Sequence, residues 1–117
     1  MMRSFSLAFL VGSILLAGFA VSGANQQNKN ARSATDLYMR HCNSCHGRDG
    51  RAQTRKGKFS HARDLTDAKW QDDVSDERIF NSIMNGRNVR GNMPAFSDKL
   101  NEKEVESLVG FVRKFKG

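Results

Sequence analysis

Residues 41–47 have the sequence His41-Cys42-Asn43-Ser44-Cys45-His46-Gly47 (HCNSCHG) and contain both cysteines of a 117-residue chain. Two residues separate the thiols, and a histidine directly follows the second one. A disulfide across so small a ring would stabilise little by the loop-entropy argument. A thioredoxin-like redox pair requires a strand-to-helix setting, and a zinc site requires further thiolates or well-spaced histidines.

The fourth interpretation of C-x-x-C-H is covalent attachment of haem, for which this pattern is a recognised signature. Two thiols near one face of a short turn can each add to one of two neighbouring vinyl groups, which gives two thioethers. His46 then falls beneath the iron and supplies the proximal imidazole. This interpretation uses both cysteines, so we predict one haem c per chain, covalently bound through Cys42 and Cys45.

A histidine–methionine pair is the expected ligand set of the iron. Met93 lies in segment 91–96 (GNMPAF), and Pro94, the only proline of the chain, would stiffen the backbone beside its sulfur. Methionine opposite histidine is known for c-type haem. We therefore predict His46 and Met93 as the axial ligands.

Four other residues could in principle ligate the iron: Met39, Met84, His41 and His61. The two methionines lie on apolar faces of predicted helices, where methionine usually fills the core. The neighbouring cysteines hold His41 on the proximal side, and a lone loop histidine such as His61 is usually solvated. These four are therefore the weaker candidates.

The chain from Ala34 onward predicts helices and no strands, so the fold class is all-α. Thr35 or Ser33 can cap a first helix that runs into the cysteines, and Ser75 can cap a second. Asn101, followed three residues later by a glutamate, predicts a capping box for a third. Apolar residues recur on one face of the second and third helices: Ile79, Phe80, Ile83 and Met84, and Val105, Leu108, Val109, Val112 and Phe115.

Residues 1–24 differ in composition from the rest of the chain. Arg3 gives a short positive start, residues 7–21 form an apolar run, and Ser22-Gly23-Ala24 ends it with small residues. This order predicts a secretory signal peptide cut after Ala24. The rival is an uncleaved anchor, but a run of about 15 residues is shorter than the ~20 that span the hydrocarbon core.

Cleavage after Ala24 would leave 93 of the 117 residues. One basic residue, Arg3, and no acidic residue would be lost, so the formal charge of +7 would become +6. Residues 25–33 are polar and predict a disordered lead-in, and residues 34–117 form the predicted folded domain. The protein is expected in the periplasm or another exported location, without a stable membrane span.

Basic residues concentrate beside the two predicted ligand segments. Segment 47–61 is rich in glycine and predicts a loop. Six basic residues lie in it or just after it: Arg48, Arg51, Arg55, Lys56, Lys58 and Arg63. Two more, Arg87 and Arg90, precede Met93. We expect them to ring the haem edge and to favour redox partners with acidic docking patches, although solubility alone could also explain them. Nucleic acid is not an expected partner, because the chain lacks an aromatic stacking platform.

Three segments resemble the small single-haem class I c-type cytochromes: DLYMRHCNSCHGRDG (36–50), IFNSIMNGRNVRGNMPAF (79–96) and LNEKEVESLVGFVRKF (100–115). The resemblance implies a class I cytochrome c fold of about three to five helices wrapped around one covalently attached haem. It also implies attachment through Cys42 and Cys45, ligation by His46 and Met93, and a crossing of the first and last helices near Ala34/Tyr38 and Gly110/Phe111. Small residues at this crossing would let the two backbones approach, with an aromatic ring alongside.

The chain departs from this family at two places. The family often has glycine where this chain has Ala34, which predicts a slightly wider helix crossing. It often has a proline after C-x-x-C-H whose carbonyl accepts the hydrogen bond from the ligand histidine, but no proline lies between Gly47 and Trp70. The acceptor for the His46 ring is therefore not predicted. Candidates for the haem pocket are Phe59, Leu65, Phe80, Ile83 and Phe96, and Trp70 is expected to be a core aromatic.

The predicted function is that of an exported, soluble electron carrier that acts as a monomer and has no enzymatic activity of its own. A closed six-coordinate iron leaves no position for substrate, and methionine as the sixth ligand favours the ferrous state. The alternatives are a haem-based sensor that binds a small gas and a haem subunit of a larger periplasmic oxidoreductase.

Overall fold

The computed structural model describes residues 31–117, and these form six helices, one more than the upper end of the predicted range. In chain order they are α1 (Ala34–His41), α2 (Asn43–His46), α3 (Arg55–Phe59), α4 (Ala68–Asp73), α5 (Asp76–Asn85) and α6 (Glu102–Arg113). Residues 31–117 contain no strand beyond a single β-bridge between Arg87 and Met93. The all-α prediction is confirmed, and the predicted signal peptide lies outside the described residues.

The three longest helices begin where the sequence predicts. The Ser33 hydroxyl accepts a hydrogen bond from the backbone N–H of Asp36 at 3.0 Å, so Ser33 rather than Thr35 caps α1. The other predicted caps are present as well: Ser75 for α5, and Asn101 with Glu104 for α6. Because an N-cap side chain satisfies N–H groups that the helix leaves free, these short polar residues determine where each helix starts.

Segment 47–61, predicted as loop, contains α3, and that part of the prediction is wrong. Thr54 caps α3 by accepting from the N–H of Gly57 at 2.9 Å. Gly57 is buried where an added Cβ would collide with the carbonyl oxygen of Cys45. A helix that packs through a glycine has no apolar periodicity, which is why the sequence pattern did not reveal it.

The first and last helices cross through aromatic rings. The Tyr38 ring, 1% exposed, lies 4.9 Å from the Phe111 ring and 5.2 Å from the Phe115 ring, centroid to centroid. The predicted contact of Tyr38 with Phe111 is therefore present. Gly110 was expected to permit close backbone approach, but it is exposed and an added Cβ would meet no atom within 4 Å. That expectation is wrong, because rings rather than backbone fill the crossing.

Arg113 fastens the end of α6 to the segment that joins α4 and α5. Its guanidinium donates to the carbonyl of Gln71 at 2.6 Å, to the carbonyl of Val74 at 2.6 Å and to the carboxylate of Asp76 at 2.7 Å. The buried Gln71 side chain donates to the carbonyls of Leu65 and of the α6 residue just before Arg113. Buried polar groups are thereby paired, which orients α4 and α5 on the core.

The last two residues of the predicted lead-in have defined contacts. Ser33 caps α1, and the Arg32 guanidinium donates to both carboxylate oxygens of Glu104 at 2.8 Å. These two residues therefore join the start of α1 to the start of α6.

Candidate haem site

The C-x-x-C-H motif lies at the junction of α1 and α2. Cys42 ends α1 and precedes α2, and the N–H of His46 donates to the Cys42 carbonyl at 2.9 Å. One turn of chain thus carries both thiols and the histidine. Cys42, Cys45 and His46 all line the same cavity.

That cavity has a volume of about 1260 Å³ and is also lined by Met93. Typical sites for small ligands measure roughly 300–1,000 Å³, so this one accepts a ligand of large size. The structure thus brings all four predicted attachment and ligand residues to one cavity, although Met93 is 47 positions beyond His46 in the chain.

The walls of the cavity are largely apolar. Of the predicted pocket residues, four line the cavity: Phe59, Leu65, Ile83 and Phe96. Phe80 does not, and its prediction is wrong. Four residues of α5 line the cavity, namely Arg78, Ile79, Ser82 and Ile83, and Phe80 is turned about 100° away from Ile79, on the far side from Arg78. Trp70 also lines the cavity, with the Arg63 guanidinium 5.9 Å from its ring centroid.

The His46 ring is oriented by a main-chain acceptor. Its Nδ1 lies 2.9 Å from the carbonyl oxygen of Arg63. Because a carbonyl only accepts, Nδ1 carries the proton and Nε2 keeps its lone pair. Burial lowers the pKa of His46, with the Arg63 hydrogen bond acting in the opposite direction, so the ring stays neutral as a metal ligand must. Arg63 therefore supplies the acceptor that a proline carbonyl often supplies in the family that the sequence resembles.

The environment of Cys42 argues against a thiol–disulfide active site. Burial, together with the neighbouring Cys45, raises the pKa of Cys42 to about 12. Redox-active C-x-x-C pairs depend instead on a thiol whose pKa is lowered. The zinc alternative also lacks support, because residues 31–117 contain no group of three or more His, Cys, Asp or Glu side chains arranged for a metal ion.

Met93 is held in a short loop by backbone contacts. The N–H and C=O groups of Arg87 and Met93 are paired at 2.9 and 3.0 Å, and Gly86 turns the chain out of α5 with a φ of +74°. A Cβ at Gly86 would lie 2.7 Å from the Met93 carbonyl oxygen, so this position requires glycine for space as well as for conformation. After the methionine, the N–H of Phe96 donates to the carbonyl of Ile83 at 3.0 Å.

The four weaker ligand candidates divide into two pairs. Met39 and Met84 are half-buried against the core and do not line the cavity, whereas His41 and His61 do line it. The Nε2 atom of His41 is buried without a hydrogen-bond partner, and its ring lies edge-on to Phe96 at 5.8 Å. Burial and nearby cations, Arg32 first among them, lower the pKa of His41 and keep it neutral.

The predicted basic residues contribute unequally to the cavity. Four line it, namely Lys56, Arg63, Arg87 and Arg90. The other four do not line it: Arg48, Arg51, Arg55 and Lys58. The expectation that all eight surround the haem edge is therefore wrong. Three cations that were not predicted also line the cavity: Arg40, Arg78 and Lys99. Arg40 and Lys99 are close in sequence to Cys42 and Phe96, which is the signal that could have identified them.

Within residues 31–117, no helix has the length and apolar character needed to cross a membrane.

The chain is similar to known c-type cytochromes. Residues 29–112 match the family model described as cytochrome c oxidase, cbb3-type, subunit III. The solved structure of the c-type cytochrome KustC0563 is 40% identical, with a TM-score of 0.65 over 74% of this chain and 100% of that one. A mutant of Kustc0563 is 39% identical, with a TM-score of 0.63 over 73% of this chain and 100% of that one. Such cytochromes carry covalently bound haem c, and the cavity, thiols, imidazole and thioether found here suit that group.

Proposed function

The chain belongs to the c-type cytochrome family represented by subunit III of cbb3-type cytochrome c oxidase, and from that premise we propose that it is an exported, soluble electron carrier. One haem c is bound through Cys42 and Cys45 and ligated by His46 and Met93. The observation that carries the proposal is that these four side chains line one large cavity, with Nε2 of His46 left free by the bond from its Nδ1.

Haem supplies an iron that takes up and releases one electron. The protein supplies its surroundings. Apolar walls that include Leu65, Ile83 and Phe96 make the more highly charged ferric state less favourable, and a thioether ligand acts in the same direction. Two protein ligands leave no open coordination position, so we propose electron transfer without catalysis by this chain alone.

Redox partners with an acidic patch fit the mouth of the cavity. Phe59 and Val89 are the two exposed large apolar side chains of the described part, and both line the cavity. Exposed cations, Lys56 and Arg90, line it as well. An apolar centre with charged neighbours is typical of a transient docking face. We propose docking through this face, by a monomer in the periplasm.

A second candidate function is that of a haem subunit in a larger periplasmic oxidoreductase. The name of the matching family favours it, since that family describes a subunit of an oxidase. Co-purification with a larger enzyme from native membranes would support the subunit role. Purification as a free, fully reducible protein would support the carrier role. Carbon monoxide tests the sensor alternative, because a six-coordinate ferrous carrier should bind it poorly.

The first prediction concerns covalent attachment. Extraction with acid and organic solvent should leave haem on the wild-type chain, because thioethers survive conditions that break coordination bonds. The double variant Cys42→Ala/Cys45→Ala should release its haem or fail to form holoprotein. Mass spectrometry of the denatured chain measures both outcomes, and haem freely extracted from the wild type would refute the attachment.

A further inference from the structure

The loop that carries Met93 is joined by one backbone hydrogen bond to the turn that follows α3. Among the backbone hydrogen bonds of residues 31–117, one connects segment 54–63 to segment 86–96, from the N–H of Asn92 to the carbonyl of Ser60 at 3.0 Å. Asn92 immediately precedes Met93. The ligand loop is therefore tied directly to the chain that follows C-x-x-C-H.

Gly91 shows how closely the two loops fit. A Cβ built on Gly91 would collide with the carbonyl oxygen of Ser60 and would lie 2.8 Å from the carbonyl oxygen of His61. These are backbone atoms, which cannot rotate away as the end of a side chain can. The backbone of Gly91 is not left-handed, so this position requires glycine for space.

The turn after α3, which faces Gly91, has a strained backbone. His61 has a φ of +51°, a left-handed conformation that is uncommon for residues other than glycine. Such a conformation persists where the surroundings impose it. Here α3 holds the turn from one side, since Ser60 and Ala62 donate to the carbonyls of Lys56 and Gly57 at 2.9 and 2.8 Å. Gly91 contacts it from the other side.

The helix α3 in turn rests on the haem-attachment motif. The Thr54 hydroxyl lies 2.8 Å from the Ser44 carbonyl oxygen and 3.0 Å from that of Cys45, and Gly57 packs against the same Cys45 oxygen. Continuous contacts therefore run from Cys45 through α3 and its C-terminal turn to Gly91 and Met93.

We propose that the contact of Gly91 and Asn92 with Ser60 and His61, which we name the latch, positions Met93, and that its opening limits displacement of Met93 by external ligands. The inference rests on the proposed role of Met93 as the sixth ligand. The Arg87–Met93 bridge makes the ligand loop a closed unit, so the latch decides how readily that unit moves as a whole. Gly91 is a positioning residue in this scheme.

Gly91→Ala tests the latch, with Gly110→Ala as the matched control, since a Cβ at Gly110 meets nothing within 4 Å. The measurement is stopped-flow binding of imidazole to the ferric holoprotein, read from the far-red sulfur-to-iron absorption. If opening is rate-limiting, the observed rate reaches a plateau at high imidazole. We expect Gly91→Ala to raise the plateau by about tenfold or to abolish the band without imidazole, because overpacking acts exponentially on the opening equilibrium. Gly110→Ala should stay within about twofold of wild type.

Thr54→Val provides a second variant that leaves the ligand loop untouched, and Thr35→Val on the exposed side of α1 is its control. Loss of the hydroxyl removes its contacts with the Ser44 and Cys45 carbonyls and also the N-cap of α3, which weakens the support of the turn, so the plateau should rise by about threefold. A merely structural role would lower the urea midpoint of Thr54→Val and leave the plateau unchanged when it is measured without denaturant.

These measurements distinguish a failure of the latch proposal from a failure of the assignment of Met93 as the sixth ligand. A wild-type ferric protein that lacks the far-red band, with an unaltered spectrum in Met93→Ala, would overturn the assignment and the latch together. A wild-type protein that has the band, with wild-type plateau rates in both Gly91→Ala and Thr54→Val, would overturn the latch alone.

Discussion

His46, the proposed proximal ligand, illustrates how a single main-chain atom can orient an imidazole ring. The carbonyl of Arg63 accepts from Nδ1 of His46 at 2.9 Å, and this fixes the tautomer that leaves Nε2 able to bind iron. Because the acceptor belongs to the backbone, the residue type at position 63 is free to serve another purpose. Here its guanidinium lies over Trp70 at the cavity wall.

The proposed role of Met93 as the distal ligand can be tested with one pair of variants. Met93→Ala should remove the far-red sulfur-to-iron absorption of the ferric protein and lower the reduction potential, because a thioether favours the ferrous state. Met84→Leu is the control, since Met84 packs against the core and does not line the cavity. Absorption spectra and a redox titration measure both effects. Loss of the band in Met84→Leu with its retention in Met93→Ala would show that the wrong methionine was chosen.

Among the elements, α6 is held at both of its ends. At its start, Glu104 completes the capping box with Asn101 and accepts both hydrogen bonds from Arg32. At its end, Arg113 is hydrogen-bonded to the segment that joins α4 and α5. The helix thus connects the chain before the haem-attachment motif with the cavity wall beyond it.

The N-terminal end of α6 predicts a dependence of stability on pH. The hydrogen bond from Arg32, followed by that from the Asn101 N–H, holds the pKa of Glu104 below its usual value of 4.5. A carboxyl group whose pKa is lower in the folded state stabilises the fold above pH 4.5, and this contribution disappears as the pH falls through the folded-state pKa. Glu104→Gln should therefore lower the urea midpoint at neutral pH and match wild type in strong acid.

Glu106→Gln, an exposed change of equal charge on the same helix, is the control for this pH dependence. Urea unfolding of all three proteins at neutral and at acidic pH gives the comparison. Equal losses in Glu104→Gln and Glu106→Gln at neutral pH would attribute the effect to net charge rather than to the Arg32 contact.

At the C-terminal end of α6 we expect a substitution to lower the free energy of unfolding substantially. Arg113→Met should lower the free energy of unfolding by about 2 kcal/mol, because it leaves the carbonyl and side-chain oxygens of Gln71 without their donor. Lys69→Met removes only an exposed ion pair with Asp73 and should cost about 0.5 kcal/mol or less. Chemical denaturation of both holoproteins measures the difference, and equal costs would contradict the importance assigned to this network.

At the scale of the described part of the molecule, exposed cations lie both at the mouth of the cavity and away from it. Lys56 and Arg90 are exposed and line the cavity, whereas Arg51 and Arg55 are exposed but do not line it. The field of such a surface mainly raises the rate of encounter with an oppositely charged partner, and salt screens it over about 8 Å at physiological ionic strength. A docking face therefore has to be tested with residues of the cavity mouth.

Lys56→Glu/Arg90→Glu should slow electron exchange with an acidic redox partner and flatten its dependence on salt. Lys103→Glu/Lys114→Glu changes the net charge equally, within α6 and at its C-cap, at residues that do not line the cavity, and should have a smaller effect. Stopped-flow kinetics at several ionic strengths, in the range where association limits the rate, compares the two. Equal slowing by both pairs would mean attraction by net charge without a defined docking face.

The sequence alone was sufficient for features encoded by neighbouring residues. The C-x-x-C-H motif, the N-caps Ser33, Ser75 and Asn101 and the apolar faces of α5 and α6 are each specified within a few positions, because helix capping and helical periodicity are local. They were sufficient to predict the all-α class, the cofactor, and the two cysteines and the histidine proposed to hold it, whereas Met93 was predicted from the methionine–histidine pairing known for c-type haem.

Only the tertiary structure decided features that depend on which distant residues meet. The structure shows that the Arg63 carbonyl is the acceptor for His46, that Phe80 does not line the cavity, and that Gly91 packs against the turn after α3. A backbone carbonyl carries no residue-type signal, and a glycine required for space cannot be distinguished in a sequence from one required for a turn. These contacts arise when packed helices bring separate loops together, and no local pattern encodes that approach.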